Sequence, residues 1–287
     1  MNRLLMFLAL GCCVLCGEAA PVVVGYLPEY RIAGFAGELE GVTDLVLFSL
    51  TVNADGTITE GPLAATHQSG LTRLRRAYRG RVLLTVGGWE RSAGFTKVTA
   101  TAAARKAFIN RMVEICRSHR LSGIDFDWEH PEGKKEIAKY AMLIRETKKA
   151  LAPRRGLVTV AQAGWQDLGK DVYTAVDRVH LMAYDHPYPQ ATFEKAKADV
   201  DRLIGFGCPR EKIALGLPLY GRNKAGAAKA YTDLKNDDSG YAYNSAVTIR
   251  RKVGHARRQG LAGVMVWELG QDAMGEDSLL AVIRRAW

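Results

Sequence analysis

The chain has 287 residues, of which 48% are hydrophobic, and a formal net charge of +10. It is long enough to bury a substantial core, as one large α/β domain or two small ones. Three of the five cysteines lie in the first twenty residues. The other two, Cys116 and Cys208, are not a disulfide framework in a chain of this size, and no metal-ligand spacing occurs.

The first twenty residues have the pattern of a secretory signal peptide. Arg3 precedes an apolar run over residues 4–15, and small residues follow it. The run is too short and too weakly flanked for a good membrane span. We expect cleavage near residues 19–20 and a secreted or periplasmic mature protein. An uncleaved anchor, or a lipid attached at Cys12 or Cys16, is the alternative.

Export argues against a nucleic-acid partner in spite of the positive charge. The most basic segments, residues 73–81 and 250–258, carry apolar residues at helical spacing, which is typical of solvated helix faces. Attraction to an anionic cell surface or polymer is the alternative interpretation of the charge. We expect a monomer without stable membrane insertion after cleavage, without a cofactor and without a metal.

After the signal segment, apolar β-branched runs alternate with stretches of helical periodicity. Eight such runs occur, at residues 21–26, 44–50, 81–88, 122–128, 156–164, 177–184, 212–220 and 261–267. This alternation over ~250 mature residues predicts a single (β/α)8 TIM barrel spanning residues 21–287. A doubly wound open sheet is the alternative, but no GxGxxG motif follows the first strand.

Two details follow from the barrel prediction. Cys116 lies on the helix before the fourth strand and Cys208 in the turn before the seventh, well apart around the ring, so we predict no disulfide between them. The longest gap between strands, residues 221–260, contains a polar loop and one helix from about residue 247 to 258. It is too short for a second domain.

The fourth predicted strand, in the segment LSGIDFDWEHP, has acidic residues on one face and apolar residues on the other. The acidic face contains Asp125, Asp127 and Glu129, and the other contains Ile124, Phe126 and Trp128. In a barrel, the acids would point inward and rise toward the carboxyl-terminal rim, where barrel enzymes have their active sites. A structural ion cluster is the alternative. Stacked carboxylates in a barrel interior lower the stability of the fold by several kcal/mol unless they are paired or protonated. We therefore interpret Glu129 as a general acid that the charge below it keeps protonated.

This segment resembles the DGxDxDxE motif of family 18 glycoside hydrolases, the chitinases, which are substrate-assisted glycosidases. Further segments resemble other strands of that family. They are VVGYLPEY for the first strand, LLTVGGW for the third, LMAYDHP for the sixth, KIALGLPLYGR for the seventh and LAGVMVWELGQD for the eighth. The resemblance therefore covers nearly the whole predicted mature chain and implies an enzyme of this family.

The spacing of the acids is compatible with that mechanism. Asp127 and Glu129 lie two residues apart on one strand face, so their Cβ atoms would be about 6.6 Å apart and approach a sugar from the same side. Neither can attack from below the ring while the other protonates the leaving oxygen. Some other group must attack the anomeric carbon, and the 2-acetamido group of N-acetylglucosamine can do so.

The resemblance implies a role for each reacting residue. Glu129 would donate a proton to the glycosidic oxygen and then activate water. Asp127 would accept a hydrogen bond from the acetamido N–H, and Asp125 would share a proton with Asp127. Tyr184 would donate its hydroxyl to the acetamido carbonyl, and Asp185 would contact the same sugar.

The remaining candidates are supporting and substrate-binding residues. Tyr26 and Thr85 would provide hydroxyls to the lower aspartates, and Thr85 replaces the serine of the family's SxGG element. Ser122 replaces the first aspartate of the motif; we expect it to support the acids without reacting. The predicted substrate-binding residues, besides Tyr26 and Asp185, are Trp267, Met182, Trp89 and Arg222. For Trp89 the alternative is a packing role, and for Arg222 it is a structural ion pair.

We therefore expect a retaining hydrolase of β-1,4-linked N-acetylglucosamine polymers, chitin or chitooligosaccharides, acting through an oxazolinium intermediate. The family resemblance also implies an open groove, because residues 221–260 are too few for the family's large α+β insertion. One alternative is an endo-β-N-acetylglucosaminidase acting on N-glycans or peptidoglycan fragments. Another is a non-catalytic chitin-binding lectin, although such lectins usually lose the acid at the position of Glu129.

Overall fold

The computed structural model describes residues 21–235 and 240–287. The predicted signal peptide, residues 1–20, lies outside the described residues. The strands, in chain order, are β1 (Val22–Pro28), β2 (Asp44–Val52), β3 (Ile58–Thr59), β4 (Arg81–Gly87), β5 (Gly123–Asp127), β6 (Leu157–Ala163), β7 (Arg178–Met182), β8 (Ile213–Pro218), β9 (Tyr220–Asn223), β10 (Ala228–Ala230), β11 (Tyr241–Ala242) and β12 (Gly263–Trp267). The α-helices are α1 (Glu29–Ile32), α2 (Gln68–Ala77), α3 (Phe95–Thr99), α4 (Ala102–Ser118), α5 (Gly133–Leu151), α6 (Lys170–Ala175), α7 (Phe193–Gly205), α8 (Tyr231–Leu234), α9 (Ala246–Arg258) and α10 (Leu279–Ala286).

Eight parallel strands close into a barrel in the order β1-β2-β4-β5-β6-β7-β8-β12, and β12 pairs back onto β1. Val24 is opposite Met265 in the closing pair, and Thr85 is opposite Asp125 where β4 meets β5. The predicted (β/α)8 barrel is confirmed. The open-sheet alternative is wrong because the first and last strands are hydrogen-bonded to each other.

The apolar residues form two cores, as expected when strand side chains alternate between faces. A large cluster lies between the barrel and the helices and includes Ile124, Phe126 and Trp128. A small cluster fills the barrel interior with Val24, Tyr26, Val46, Leu83, Ala214 and Met265. The acidic face of β5 points into the interior, where Asp125 contacts hydroxyl groups of β1, β4 and β6.

The helices before and after β5 bury apolar residues against the barrel. In α4, Phe108, Met112 and Cys116 are buried, and Thr101 caps the helix by accepting a hydrogen bond from the Ala104 N–H. In α5, the buried residues include Tyr140, Ala141, Ile144 and Leu151. Both helices therefore pack on the outer face of the barrel and fix the position of β5.

The segment between β8 and β12 contains more structure than the predicted polar loop. Strands β10, β9 and β11 form a small antiparallel sheet in that order, with Ala230 opposite Tyr220 and Ala242 opposite Arg222. The predicted helix is present as α9. These strands have two to four residues, and no large second domain is inserted among the described residues of this segment.

Cys116 and Cys208 are both free and buried, and burial raises the pKa of each thiol to about 12. Both thiols are therefore protonated and unreactive near neutral pH. Within residues 21–235 and 240–287, the helices lack the combined length and apolar character needed to cross a membrane.

Candidate active site

The acidic residues of the fourth barrel strand lie at increasing height toward the carboxyl-terminal rim. Asp125 is fully buried within β5 and Asp127, its last residue, is 3% exposed. Glu129 lies two residues beyond the strand, and its side chain is 14% exposed. The topmost acid is therefore the one that reaches solvent, as predicted from the alternation.

Two glycines and a serine attach the end of β4 to the end of β5. Gly87 and Gly88 have φ values of +100° and +109°, and a Cβ atom on Gly87 would lie 2.2 Å from the Asp127 carbonyl oxygen. The Gly88 N–H donates to that oxygen at 2.6 Å. Ser92 donates to the same carbonyl at 2.9 Å and accepts from the Glu129 N–H at 3.2 Å. This close approach needs glycine and fixes the backbone between Asp127 and Glu129.

Asp125 accepts hydrogen bonds from three other barrel strands. Tyr26 Oη and Thr85 Oγ1 donate to its Oδ2 atom at 2.8 and 2.9 Å, and Thr159 Oγ1 donates to Oδ1 at 2.6 Å. The supporting role predicted for Tyr26 and Thr85 thus matches their positions. The sequence analysis did not single out Thr159, which lies on the inward face of β6.

His180 is a further partner of Asp125 that the sequence analysis missed. Its Nδ1 atom lies 3.2 Å from Asp125 Oδ1 and 2.7 Å from Tyr26 Oη, and the residue is fully buried. Burial acts to raise the pKa of Asp125, but the electrostatic attraction and hydrogen bond of His180, with hydrogen bonds from Thr159 and Tyr26, lower it overall.

Asp127 lies in a different environment. Its Oδ1 atom is buried and has no hydrogen-bond partner among the described residues. Burial, followed by the charges of Glu129 and Asp125, raises the pKa of Asp127 well above its ordinary value. A buried carboxyl oxygen without a protein partner is available to a ligand.

Burial raises the pKa of Glu129 to about 7, with the charge of Asp185 as the next cause, while a hydrogen bond from the Trp89 backbone opposes the shift. The direction of the predicted shift agrees with the environment, but the causes are burial and the charge of Asp185, not the charge of the acid below Glu129. His130 Nε2 lies 3.6 Å from Glu129 Oε2. A carboxyl with a pKa in this range can both donate and accept a proton near neutral pH.

The residues predicted around the reacting sugar surround the top of the barrel. Tyr184 Oη lies 3.9 Å from Met265 Sδ, and burial keeps the pKa of this phenol well above its ordinary value, so that it remains a donor. Trp267 packs on Tyr26 and Phe48, with ring centroids 5.7 and 4.7 Å apart. Met182, Tyr184 and Trp267 all border the interior core.

Asp185 and Arg222 contact each other at the rim. The Arg222 guanidinium and Tyr220 Oη both donate to Asp185 Oδ1, the latter at 2.6 Å. Arg222 also donates to the Gly226 carbonyl at 2.8 Å. The ion-pair alternative for Arg222 thus matches its contacts, and it holds Asp185 beside Glu129. Tyr220 was not singled out from the sequence.

The tryptophans divide between rim and core. Trp89 is 67% exposed and Trp165 is 63% exposed, and Trp165 contacts the His130 ring with centroids 4.9 Å apart. Both indoles are available to a ligand, so a packing role for Trp89 is wrong. Trp128, next to Glu129 in sequence, is buried on the outer face and stacks on Phe95 at 5.1 Å.

Ser122 does not contact the acids. Its Oγ atom accepts from the Val82 N–H at 3.2 Å, which joins the beginnings of β4 and β5. The expectation that Ser122 supports the acids is therefore wrong. Asp125 is held from neighbouring strands instead, because a side chain at the base of β5 lies too far below it.

No group of three or more His, Cys, Asp and Glu side chains within the two described ranges could hold a metal ion. The arrangement can hold a protonated Glu129 at the rim beside the buried Asp127, a carboxyl with one oxygen that lacks a partner among the described residues. On a closed parallel barrel, this combination at the carboxyl-terminal rim is compatible with acid–base chemistry at a glycosidic bond.

Comparison with known proteins identifies the family. The model of glycosyl hydrolases family 18 matches residues 22–272, and the chain belongs to that family. Chitinase 1 of Aphanocladium album is 25% identical over 329 aligned positions, which cover 84% of this chain and 78% of that protein. Endochitinase 1 of Metarhizium robertsii is 26% identical, and the match covers 72% of this chain but 65% of that protein.

Solved structures have the same fold. The crystal structure of a family 18 chitinase from Flavobacterium johnsoniae superposes with a TM-score of 0.80 at 26% identity, covering 93% of both chains. A chitinase-like agglutinin from Robinia pseudoacacia superposes with a TM-score of 0.79 at 23% identity, covering 92% of this chain and 99% of that one. The agglutinin is similar in fold alone.

Proposed function

We propose that this glycoside hydrolase cleaves β-1,4-linked N-acetylglucosamine polymers, chitin or chitooligosaccharides, with retention and with the substrate's acetamido group as the nucleophile. The observation that carries the proposal is the pair formed by Asp127 and Glu129. Both carboxyls lie at the carboxyl-terminal end of β5, both have raised pKa values, and Asp127 Oδ1 has no partner among the described residues. The names of the relatives, chitinase and endochitinase, agree with this substrate class.

In the first step, protonated Glu129 donates its proton to the glycosidic oxygen as the bond from that oxygen to C1 breaks. The acetamido carbonyl oxygen of the same sugar attacks C1 from the opposite face and forms an oxazolinium ion. Asp127 accepts a hydrogen bond from the acetamido N–H and stabilises the positive charge that develops there. The chain beyond the cleaved bond leaves as an alcohol.

In the second step, the ionised Glu129 removes a proton from a water molecule whose oxygen attacks C1. The bond between C1 and the acetamido oxygen breaks, and the amide is regenerated. Because C1 is attacked twice, the product keeps the β configuration. Glu129 ends the cycle protonated, which requires a pKa close to the working pH, as its surroundings provide.

Substrate contacts follow from the same geometry. We propose that Tyr184 donates to the acetamido carbonyl, that Trp267 and Met182 form an apolar floor under the sugar, and that Asp185 binds its hydroxyl groups. Trp89 would stack on the next sugar along the chain, since a flat indole matches the C–H face of a pyranose. Arg222 would act through Asp185, which it holds by an ion pair.

Two other functions use the same site. An endo-β-N-acetylglucosaminidase acting on N-glycans or peptidoglycan fragments needs only the same acetamido sugar. A lectin role is favoured by the likeness in fold to a chitinase-like agglutinin, but the presence of Glu129 with a raised pKa favours an enzyme. Lectins need no proton donor.

We further propose that the protein is exported and acts as a monomer outside the cytoplasm. The apolar segment near the amino terminus supports this location. Mass determination of the protein isolated from its producing cells and from their surroundings tests it. Loss of about the first twenty residues from the external form is expected, and an intact amino terminus found only inside the cells contradicts it.

The substrate class is tested by incubating the protein with three defined glycans. These are the hexamer of N-acetylglucosamine, a glycopeptide with a chitobiose core, and peptidoglycan fragments. We expect short oligomers from the hexamer at a rate far above release from the other two. Faster cleavage of either of the others assigns the second function, and tight binding without turnover of all three assigns a lectin.

A further inference from the structure

The amino-terminal end of the barrel, opposite the active site, carries a strongly basic face. Three segments there lead into β4, β5 and β6, which are neighbours in the barrel. They are residues 73–81, 115–122 and 147–156, which together contain eleven lysines and arginines and no aspartate or glutamate. The Ser122 N–H donates to the Val82 carbonyl at 2.7 Å, and the Leu157 N–H donates to the Ser122 carbonyl at 2.9 Å. The three segments therefore lie side by side on one surface.

More than half of these cations have no acidic partner. Three of them form ion pairs, which are Arg81–Asp44, Arg117–Glu114 and Lys148–Asp177. Arg73 and Arg75 donate to backbone carbonyls, and the acceptor of Arg75 is His119, next to Arg120. The remaining six, which we call the basal cations, are exposed and make no ion pair among the described residues; they are Arg76, Arg79, Arg120, Lys149, Arg154 and Arg155.

The backbone at two of the basal cations favours glycine. Arg120 and Arg155 have φ values of +49° and +51°, in the left-handed region that disfavours a side chain. Each lies in a turn that ends a helical segment, in which the following N–H bonds the carbonyl five residues back. The equivalent turns after α7 and α9 contain Gly207 and Gly260, with φ values of +93° and +65°. Backbone geometry therefore does not explain these arginines, and their guanidinium groups point to a role at the surface.

The amino-terminal segment of the chain joins the barrel at the same face. Strand β1 runs parallel to its barrel neighbours and begins at Val22, so residues 1–20 connect to the amino-terminal end of the barrel. That segment contains the apolar run over residues 4–15. Attachment of this run to a membrane, before cleavage, brings the basal cations to the bilayer surface. Basic residues next to an apolar membrane segment attract anionic headgroups.

We propose that the basal cations form a docking surface for a membrane that contains anionic phospholipids. The headgroup phosphates pair with the guanidinium and ammonium groups, and the fold stays outside the bilayer. Because the carboxyl-terminal rim is at the other end of the barrel, docking directs Glu129 away from the membrane. The surface is separate from the active site and does not depend on which glycan the protein binds.

Two triple variants that lose the same charge test the proposal. The basal variant is Arg120→Gln/Arg154→Gln/Arg155→Gln, and the control is Lys134→Gln/Lys135→Gln/Lys139→Gln, at the beginning of α5 and the opposite end of the barrel. Each full chain is sedimented with vesicles of phosphatidylcholine alone or mixed equally with phosphatidylglycerol. The ionic strength is about 0.01 M, at which the screening length is about 30 Å. The vesicles of phosphatidylcholine alone measure the binding that the apolar run contributes.

We expect the unmodified chain to bind the anionic vesicles more tightly than the neutral ones. Each basic residue at an anionic surface strengthens binding about 5-fold, so the basal variant should bind them roughly 100-fold more weakly. The control should change by about 3-fold or less. No preference for anionic vesicles, or equal losses in the two variants, overturns the proposal. Tighter binding to polyphosphate than to these vesicles at equal phosphate concentration assigns the face to a soluble polyanion and also overturns it.

Hydrogen exchange of the unmodified chain tests the orientation without any substitution. On anionic vesicles, amide exchange should slow at residues 119–122 and 153–156, at the basal face. It should stay unchanged at residues 89–92 and 184–190, at the rim. Slower exchange at the rim, or at neither end, overturns the proposal. Absence of hydrolysis by the unmodified chain contradicts the proposed function but leaves both measurements valid.

Discussion

Three acids on one strand face have three different environments, and their proposed roles follow from those differences. Asp125 accepts hydrogen bonds from β1, β4 and β6 and lies 3.2 Å from His180 of β7, and these contacts favour its charged form. Asp127 is as deeply buried but has an oxygen without a partner among the described residues. Glu129 reaches solvent and titrates near neutrality. Neighbouring carboxyls with displaced pKa values are characteristic of acid–base sites.

Replacing the proposed acid should abolish turnover and leave binding intact. We expect Glu129→Gln to lower kcat on the N-acetylglucosamine hexamer by roughly 10³-fold, because general acid catalysis contributes about 10²–10⁴-fold. Calorimetric titration with the hexamer should give a similar Kd for the variant and the unmodified chain.

The matched control for that variant is Glu132→Gln, at an exposed position three residues away. Its kcat should be unchanged. Equal activity of Glu129→Gln and the control contradicts the assignment of the acid.

The raised pKa of Glu129 predicts the alkaline limb of the activity profile. The first step needs the protonated carboxyl, so kcat/KM should fall as pH rises through about 7. Asp185→Asn removes a negative charge that raises this pKa, and the limb should then move to lower pH. Initial rates at fixed low substrate concentration from pH 4 to 9 measure both. A limb that stays in place in Asp185→Asn contradicts the electrostatic coupling.

For single residues, the sequence predicted which side chains of β5 point into the barrel and which point toward the helices, because alternation is a local property. It also predicted Tyr26 and Thr85 as partners of the acids, by resemblance. It missed His180 and Thr159, which approach Asp125 from other strands. Both lie on inward positions of their strands, and that signal could have found them. Which of these positions reach the same height depends on the barrel's stagger, which a single sequence does not reveal.

Among the elements, β5 contributes both to the proposed active site and to the core between the barrel and the helices. Its inner face bears the acids, and its outer face is continued by Trp128, which stacks on Phe95 of α3 and meets Tyr140 of α5 edge-on. The glycines ending β4 allow the two strands to approach at the rim. Packing on the outside thus positions Glu129.

The two tryptophans near the acids should differ in their contributions to stability. Trp128→Ala removes a buried indole and should lower the free energy of unfolding by about 3–5 kcal/mol. Trp165→Ala removes an exposed one and should change it by about 0.5 kcal/mol or less. Urea unfolding followed by circular dichroism measures both. Similar losses in the two variants contradict the described orientation of β5.

Element types were predictable wherever the periodicity was long. All eight predicted runs overlap the eight barrel strands. The antiparallel sheet of β9, β10 and β11 was missed. Its strands are too short for alternation to be visible, and they are specified by pairing between residues far apart in sequence.

For the whole molecule, the active site lowers stability at the pH at which it works. A carboxyl whose pKa rises from 4.5 to about 7 on folding makes the folded state bind a proton more tightly. The free energy of unfolding therefore falls as pH increases between these values. The raised pKa that suits Glu129 as a proton donor therefore lowers the free energy of unfolding.

Glu129→Gln should accordingly be more heat-resistant than the unmodified chain at alkaline pH. We expect Tm to rise by roughly 5 °C at pH 8 and to change little at pH 4, where both states are protonated. Scanning calorimetry at the two pH values measures the difference. An equal change at both pH values contradicts a pKa that is raised by folding.

The central claim is that Glu129 protonates the leaving oxygen while the substrate's acetamido group attacks C1. The most direct measurement is proton NMR of the new reducing ends formed early in the digestion of a partially N-acetylated glucosamine polymer. Each new end should be an N-acetylated sugar in the β form. New ends that lack the acetyl group, or that appear first in the α form, contradict the account.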